Sequence, residues 1–188
     1  MSTPAVHPDV HVGHVHLMVS DVDRSITFYR DLLGFHVTHH SPEEPPYRMA
    51  FLAAGDYHHH IGLNSIMSQG GTPPPQGHTG LAHVAFQYPN REELARAVRR
   101  VREHDHPFQD GWGTPMEWPL VAFDHHVNVA VYLHDPDGNG LELFYDRPKE
   151  GWERTASGMQ RLDSEVCDVT ELLPELLRDS FRSPRGAV

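Results

Sequence analysis

Three residues of this chain have the types and positions that could hold a metal ion. His14 and His83 each open a segment of the form His-Val-X-(Leu/Phe), whose alternation is typical of a β-strand. Glu142 lies between Leu141 and Leu143, and strand alternation would turn its carboxylate to the face opposite these leucines. Two imidazoles and one carboxylate, with the remaining positions open, form the ligand set of non-heme Fe(II) oxygenases.

The sequence contains seventeen histidines, so a histidine alone is weak evidence for a site. The ring nitrogens of a single strand histidine readily find ordinary hydrogen-bond partners, and a single strand glutamate usually faces solvent. His14 and His83 stand out because they occupy corresponding places in a pattern that occurs twice. If the two predicted sheets curl together about a pseudo-twofold axis, these histidines meet across it and Glu142 joins them.

The elements that must position these residues follow one order twice: a strand, a helix and three strands. The first half predicts a strand from His14, a helix from about Val22 to Leu33, and strands over residues 35–39, 48–53 and 58–64. The second half predicts a strand from His83, a helix capped by Asn90, and strands over residues 108–111, 127–134 and 141–145. The two histidines are sixty-nine positions apart, which exceeds the period of a solenoid repeat and favours a tandem duplication.

The predicted fold class is α+β, with two tandem βαβββ modules that form a curved sheet around a metal site. The predicted segments are an N-terminal arm (1–11), module 1 (12–66), a Gly- and Pro-rich linker (67–79), module 2 (80–147) and a C-terminal tail (148–188). Within the tail, Val169 to Phe181 predicts a short amphipathic helix despite Pro174 near its start. We expect this tail to serve packing or dimerisation.

Composition narrows the classes of function and the expected partners. The formal net charge of −11 argues against nucleic-acid binding, which needs a basic surface. The single cysteine, Cys167, excludes an internal disulfide and a Cys-rich zinc site. The sequence shows no signal peptide and no run of ~20 apolar residues that could cross a membrane. We therefore expect a cytoplasmic homo-oligomer with a small-molecule substrate and no membrane partner.

Several motifs resemble a known superfamily. The segments Gly13-His-Val-His-Leu-Met-Val-Ser-Asp and Phe28-Tyr-Arg-Asp-Leu-Leu-Gly-Phe are similar to the opening of vicinal oxygen chelate proteins. Narrower motifs resemble the small catechol-2,3-dioxygenase group of that superfamily. They are Tyr57-His-His-His-Ile-Gly-Leu-Asn, Asp124-His-His-Val and Tyr132-Leu-His-Asp-Pro-Asp-Gly-Asn-Gly-Leu-Glu-Leu-Phe-Tyr-Asp-Arg-Pro. The resemblance covers about residues 12–148 and leaves both tails unexplained.

The resemblance implies an extradiol dioxygenase that acts on a catechol-like molecule and dioxygen. Its metal would be Fe(II), with Mn(II) as the alternative, and its ligands would be the same His14, His83 and Glu142.

The resemblance also implies three further site residues. His59 would be the acid-base group and hydrogen-bond partner of dioxygen, and strand alternation would turn His58 and His60 to the other face. A second histidine near the substrate would be His125, with His126 as the alternative. Tyr132, ten residues before the ligand glutamate, would donate a hydrogen bond to a substrate oxygen. One departure is Asn128, which stands where the family pattern leads us to expect a serine.

Three other functions compete with this interpretation. Resemblance to a glyoxalase-like lyase or isomerase would imply four metal ligands, with a carboxylate in the last strand of both modules. Residues 57–64, however, contain no glutamate. A small-molecule-binding resistance protein of the same fold would not need the two histidines and the glutamate. A structural zinc site would favour a closed tetrahedral set, often with cysteine. The ligand set therefore favours the dioxygenase.

Overall fold

A computed structural model describes residues 6–41, 48–75, 77–110, 113–116 and 121–177. The chain divides into two compact units, Met1–Thr72 and Pro73–Val188. The division falls inside the predicted linker, residues 67–79. Within the described ranges, no helix has the length and apolar character needed to cross a membrane.

The first unit has the order βαβββ. Its elements are β1 (Val15–Met18), α1 (Val22–Thr27) with a π-helical continuation (Phe28–Leu32), β2 (His36–His40), β3 (Met49–Ala53) and β4 (Ile61–Asn64). The strands lie in the order β1-β4-β3-β2, with β1 parallel to β4 and the other pairs antiparallel. The parallel pairing places the start of β1 beside the start of β4.

The first helix forms where the sequence provides a cap and an apolar face. The Asp21 side chain accepts hydrogen bonds from the N–H groups of Asp23 and Arg24 and so caps the helix. Its buried face includes Val22, Ile26 and Tyr29, at spacings of three and four. This face forms part of the core of the unit.

The second unit repeats the order with additional strands. Its elements are β5 (Val84–Gln87), α2 (Arg91–Glu103), β6 (Phe108–Gln109), β7 (Pro115–Met116), β8 (Val121–Asp124), β9 (Asn128–His134), β10 (Gly140–Asp146), β11 (Glu165–Asp168) and α3 (Val169–Leu172). The strand order is β11-β8-β9-β10-β5, and β6 also pairs with β9. Strand β5 runs parallel to β10, as β1 does to β4.

These sheets and helices confirm the predicted α+β fold class, but several predicted elements were wrong. The strand predicted over residues 58–64 begins only at Ile61. Strands β7, β8 and β11 were not predicted. The predicted helix Val169 to Phe181 stops at Leu172 and is followed by a 3-10 turn, Pro174–Leu177, because proline has no N–H to donate and its ring disfavours the preceding helical turn. Residues 178–181 of that prediction lie outside the described residues.

The described part of the tail packs on the second unit. Strand β11 extends the sheet by pairing with β8. Val169, Leu173 and Leu176 are buried, and the fully buried carboxylate of Glu175 lies 2.7 Å from the Arg91 guanidinium. The described part of the tail therefore contributes to the core of this unit.

Candidate metal centre

The second unit brings two of the predicted ligands together. His83 directly precedes β5, and the parallel register that pairs Ala85 with Glu142 places the histidine beside β10. Glu142 is only 8% exposed, and its Oε2 lies 3.0 Å from His83 Nε2. Ligand bonds of about 2.1 Å that meet at a right angle would separate two donor atoms by about 3.0 Å. The pair therefore fits two adjacent positions around one metal ion.

A glycine permits this close approach. A Cβ added at Gly140 would lie 2.3 Å from the Ala82 carbonyl oxygen and 3.2 Å from His83 Cβ. The backbone leading into β5 thus passes directly over the start of β10. A side chain at this position would require the backbone at Ala82 or Gly140 to shift.

Tyr132 completes the surroundings of the carboxylate. It lies directly opposite Glu142 in the antiparallel pair β9–β10, and its hydroxyl donates a hydrogen bond to the Glu142 carboxylate. Burial raises the pKa of Glu142, although His83 and the Tyr132 hydrogen bond act in the opposite direction. Burial and the neighbouring carboxylate raise the pKa of Tyr132, so the phenol stays protonated at neutral pH.

The structure places His125, rather than His126, against Tyr132. His125 Nε2 lies 3.0 Å from the Tyr132 hydroxyl oxygen, and its Nδ1 lies 2.6 Å from Ser164 Oγ. The Phe123 ring contacts both the His125 and the Tyr132 rings. The backbone at His126 has a positive φ of 63°, and its Nε2 lies 3.4 Å from an Asp163 oxygen. Burial lowers the pKa of His125, so its neutral form is favoured.

The first unit holds the third predicted ligand next to the predicted acid-base group. His14 directly precedes β1, as His83 precedes β5. The His14 and His59 ring centroids are 4.4 Å apart, and His59 stacks on Phe51 at 4.5 Å. Burial, followed by the positive charge of neighbouring imidazoles including His14, lowers the pKa of His59.

The strand alternation predicted for His58, His59 and His60 was wrong. Residues 57–60 form an irregular segment ahead of β4 and not a strand, so strand alternation does not separate the three histidines. His58 Nδ1 lies 2.7 Å from His59 Nδ1, on the same side. His60 points elsewhere, because its Nδ1 accepts the Ala54 N–H at 3.2 Å.

The position in the first unit that corresponds to Glu142 is a glycine. The register pairs Val15 with Ile61 in one unit and Val84 with Leu141 in the other, so Gly62 corresponds to Glu142. A Cβ at Gly62 would lie 2.9 Å from His16 Nδ1. The imidazole of His16 thus fills the space that a carboxylate would need.

The predicted site residues form two clusters, one in each unit. His14 and His59 are together in the first unit, whereas His83, Glu142, Tyr132 and His125 form one contiguous chain in the second. Across the ranges that the structure describes, no group of three His, Cys, Asp or Glu side chains could hold a metal ion. The complete three-residue ligand set therefore stays a prediction. Ser164 was missed, since no motif in the sequence pointed to it.

Comparisons with known proteins agree with the fold and the motifs. A family model described as the Glyoxalase/Bleomycin resistance protein/Dioxygenase superfamily matches residues 11–143. A relative named catechol-2,3-dioxygenase, from Bacillus subtilis (strain 168), is 33% identical over 91% of this chain and 54% of its own length. A relative from Rhodococcus globerulus, biphenyl-2,3-diol 1,2-dioxygenase 3, is 29% identical over 72% of this chain and 63% of its own length. This chain thus spans about half to two thirds of the length of these relatives.

Solved structures support the same fold. A crystal structure of a glyoxylase/bleomycin resistance protein/dioxygenase domain from Frankia sp. EAN1pec aligns with a TM-score of 0.57 at 21% identity. The alignment covers 74% of this chain and 94% of that chain. Together with the family match, this confirms the resemblance stated from the motifs. The chain belongs to the glyoxalase/bleomycin resistance protein/dioxygenase superfamily.

Proposed function

We propose that this protein is an extradiol dioxygenase that opens the ring of a catechol-type aromatic with dioxygen. The observation that carries the proposal is the glycine at position 62, where the duplicated module would otherwise supply a second carboxylate. With three protein ligands, enough coordination positions stay open for both catechol oxygens and dioxygen. The similarity to a catechol-2,3-dioxygenase supports the same conclusion.

The residues proposed to hold the metal are His14, His83 and Glu142. Their nitrogen and oxygen donors suit Fe(II), and Mn(II) is possible with the same set. The 3.0 Å separation between the donor atoms of His83 and Glu142 supports this assignment. When bound, the metal ion would orient both reactants and allow electron density to pass between them.

Tyr132 and His125 are proposed to hold the catechol and to take up its proton. The Tyr132 hydroxyl already points at the carboxylate of a proposed ligand, so a substrate oxygen near that ligand lies within its reach. His125 is the neighbour of this hydroxyl and is favoured in its neutral form. A neutral imidazole has one unprotonated ring nitrogen, which can accept a proton.

His59 is proposed to deliver a proton during ring opening. An imidazole can take up and release a proton, and the His59 ring lies against the proposed ligand His14. Cleavage beside the two hydroxyl-bearing carbons, rather than between them, would give a ring-opened semialdehyde or a related acid. Both atoms of one dioxygen molecule enter that product.

A glyoxalase-like lyase is the second candidate, since the family includes glyoxalases. An enzyme of that kind would hold its metal with four protein ligands. The glycine at position 62, with the His16 imidazole packed against it, argues against a fourth carboxylate. A small-molecule-binding resistance protein is the third candidate. A binding function alone would not require a buried glutamate that contacts both His83 and Tyr132.

Oxygen consumption separates these candidates in one experiment. Protein loaded anaerobically with Fe(II) should bind catechol with a new absorption band, and admission of air should consume one dioxygen per catechol and give a yellow product. A lyase would turn over a thiol adduct equally well under nitrogen, and a binding protein would show the band without oxygen uptake. His83→Ala, prepared in the same way, should show neither the band nor the uptake. Absence of uptake with every catechol tested, from protein that contains reduced metal, would refute the proposal.

A further inference from the structure

We propose that Ser164 is a positioning residue that holds His125 in the tautomer with hydrogen on Nε2, and thereby directs the Tyr132 proton toward Glu142. The inference deepens the proposed function, since it takes Tyr132 and Glu142 as parts of that site. It concerns a residue of the C-terminal tail that lies outside the segment matched by the family model, residues 11–143.

Strand pairing brings Ser164 to the site. Antiparallel strands β11 and β8 pair Glu165 with Asp124, so the next residues along the same register are Ser164 and His125. Residues that face each other in this way bring their side chains into contact. The result is a separation of 2.6 Å between Ser164 Oγ and His125 Nδ1, although 39 residues separate them in the chain.

The number of hydrogens available decides which group donates in each hydrogen bond from Ser164 through His125 and Tyr132 to Glu142. The Tyr132 hydroxyl carries a single hydrogen, and its bond to the Glu142 carboxylate uses that hydrogen. The Tyr132 oxygen must then accept from its other neighbour, His125 Nε2, at 3.0 Å. A neutral imidazole carries one hydrogen, which leaves Nδ1 as an acceptor. Ser164 is the group placed to donate to it.

Loss of the Ser164 hydroxyl would release this constraint. The other tautomer of His125 has hydrogen on Nδ1, so its bare Nε2 would compete with Glu142 for the Tyr132 proton. Part of the population would then hold the hydroxyl turned away from the ligand carboxylate. Because His125 and Tyr132 stay in place, substrate affinity should change little while the rate of the chemical step falls.

The tautomer of His125 can be measured directly by two-bond ¹H–¹⁵N correlation spectra of the imidazoles in the full-length, metal-free protein. His125→Gln identifies the His125 signals by their disappearance. The wild-type protein and Ser164→Thr, which keeps a hydroxyl, should both show hydrogen on Nε2. Ser164→Ala should show a mixture or the Nδ1 form. Ser157→Ala, which removes an exposed serine hydroxyl elsewhere in the tail, is the matched control and should leave the spectrum unchanged.

Two results would overturn the inference: hydrogen on Nδ1 in the wild-type protein, or an unchanged Nε2 form in Ser164→Ala. In the metal-loaded protein, Ser164→Ala should lower kcat on a catechol about 10-fold with KM nearly unchanged, and Ser164→Thr should restore most of the rate. A kcat for Ser164→Ala equal to that of the wild type would also overturn it. The spectra need neither metal nor substrate, so a protein with the expected tautomers and no oxygen uptake would refute the proposed function alone.

Discussion

Replacement of Gly140 by alanine should separate the two ligands that the second unit brings together. The added Cβ would lie 2.3 Å from the Ala82 carbonyl oxygen, whereas real Cβ contacts are essentially never shorter than 3.0 Å. The strands must therefore move apart locally by about 0.7 Å, and the obstacle is backbone rather than a flexible side chain. Overpacking of this kind costs about 1–3 kcal/mol of unfolding free energy.

The same movement acts directly on the candidate metal centre. His83 follows Ala82, and its Cβ would itself lie 3.2 Å from the new methyl group. Binding sites tolerate displacements of only about 0.5 Å before affinity suffers. We therefore expect the Fe(II) affinity to fall about 10–100-fold, the range seen when groups that orient metal ligands are removed.

Two measurements on the same samples test this prediction. Urea denaturation of the metal-free protein gives the change in unfolding free energy, and anaerobic competition with a coloured chelator gives the Fe(II) affinity. Gly80→Ala is the matched control, because a Cβ at Gly80 would meet no atom within 4 Å. A Gly140→Ala protein that loses stability but binds Fe(II) as tightly as the control would refute the role of this glycine in placing His83.

Three further predictions follow from buried charges and shifted pKa values. Glu142→Gln should abolish metal binding, while the metal-free protein keeps its unfolding free energy or gains up to about 1 kcal/mol in urea denaturation, because burial already disfavours the charged carboxylate. Arg91→Ala should cost about 2 kcal/mol in the same assay by leaving the buried Glu175 charge without its guanidinium, and adding Glu175→Gln should recover much of the loss. Burial lowers the pKa of His125, so the ring stays neutral into mild acid and kcat should decline only below a pH of about 6.5. A decline that begins above that pH and is retained in His125→Gln would contradict the assignment of the pH dependence to His125.

The contact between Tyr132 and Glu142, which we did not predict, follows from a local feature of the chain. A tight turn over residues 135–139 joins β9 and β10, and residues at equal distances from a hairpin turn face each other. Tyr132 and Glu142 are such a pair, and β9 and β10 align them directly. The repeated order of elements predicted that His14 and His83 open equivalent strands, and in the structure each directly precedes its strand.

Contacts that depend on pairing between distant segments were not predictable in this way. Residues 164–168 carry no strong strand signal, and their pairing with β8 is a long-range contact. Position 164 acquires a role only through that pairing. The strand predicted from residue 58 was wrong for a local reason. Three consecutive histidines next to a strand do not reveal at which residue the strand begins, and β4 begins at Ile61.

The two units differ at one pair of facing positions in a way that explains why only one of them offers a carboxylate. In the first unit the large residue is on the opening strand, where His16 faces Gly62; in the second it is on the last strand, where Ala85 faces Glu142. Each pair combines one large and one small side chain, so the space between the two strands is filled once in each unit. A carboxylate at position 62 would collide with the His16 imidazole, which lies 2.9 Å from where its Cβ would be. The number of proposed protein ligands is therefore tied to the packing of neighbouring strands. A fourth carboxylate at position 62 would require two coordinated substitutions rather than one.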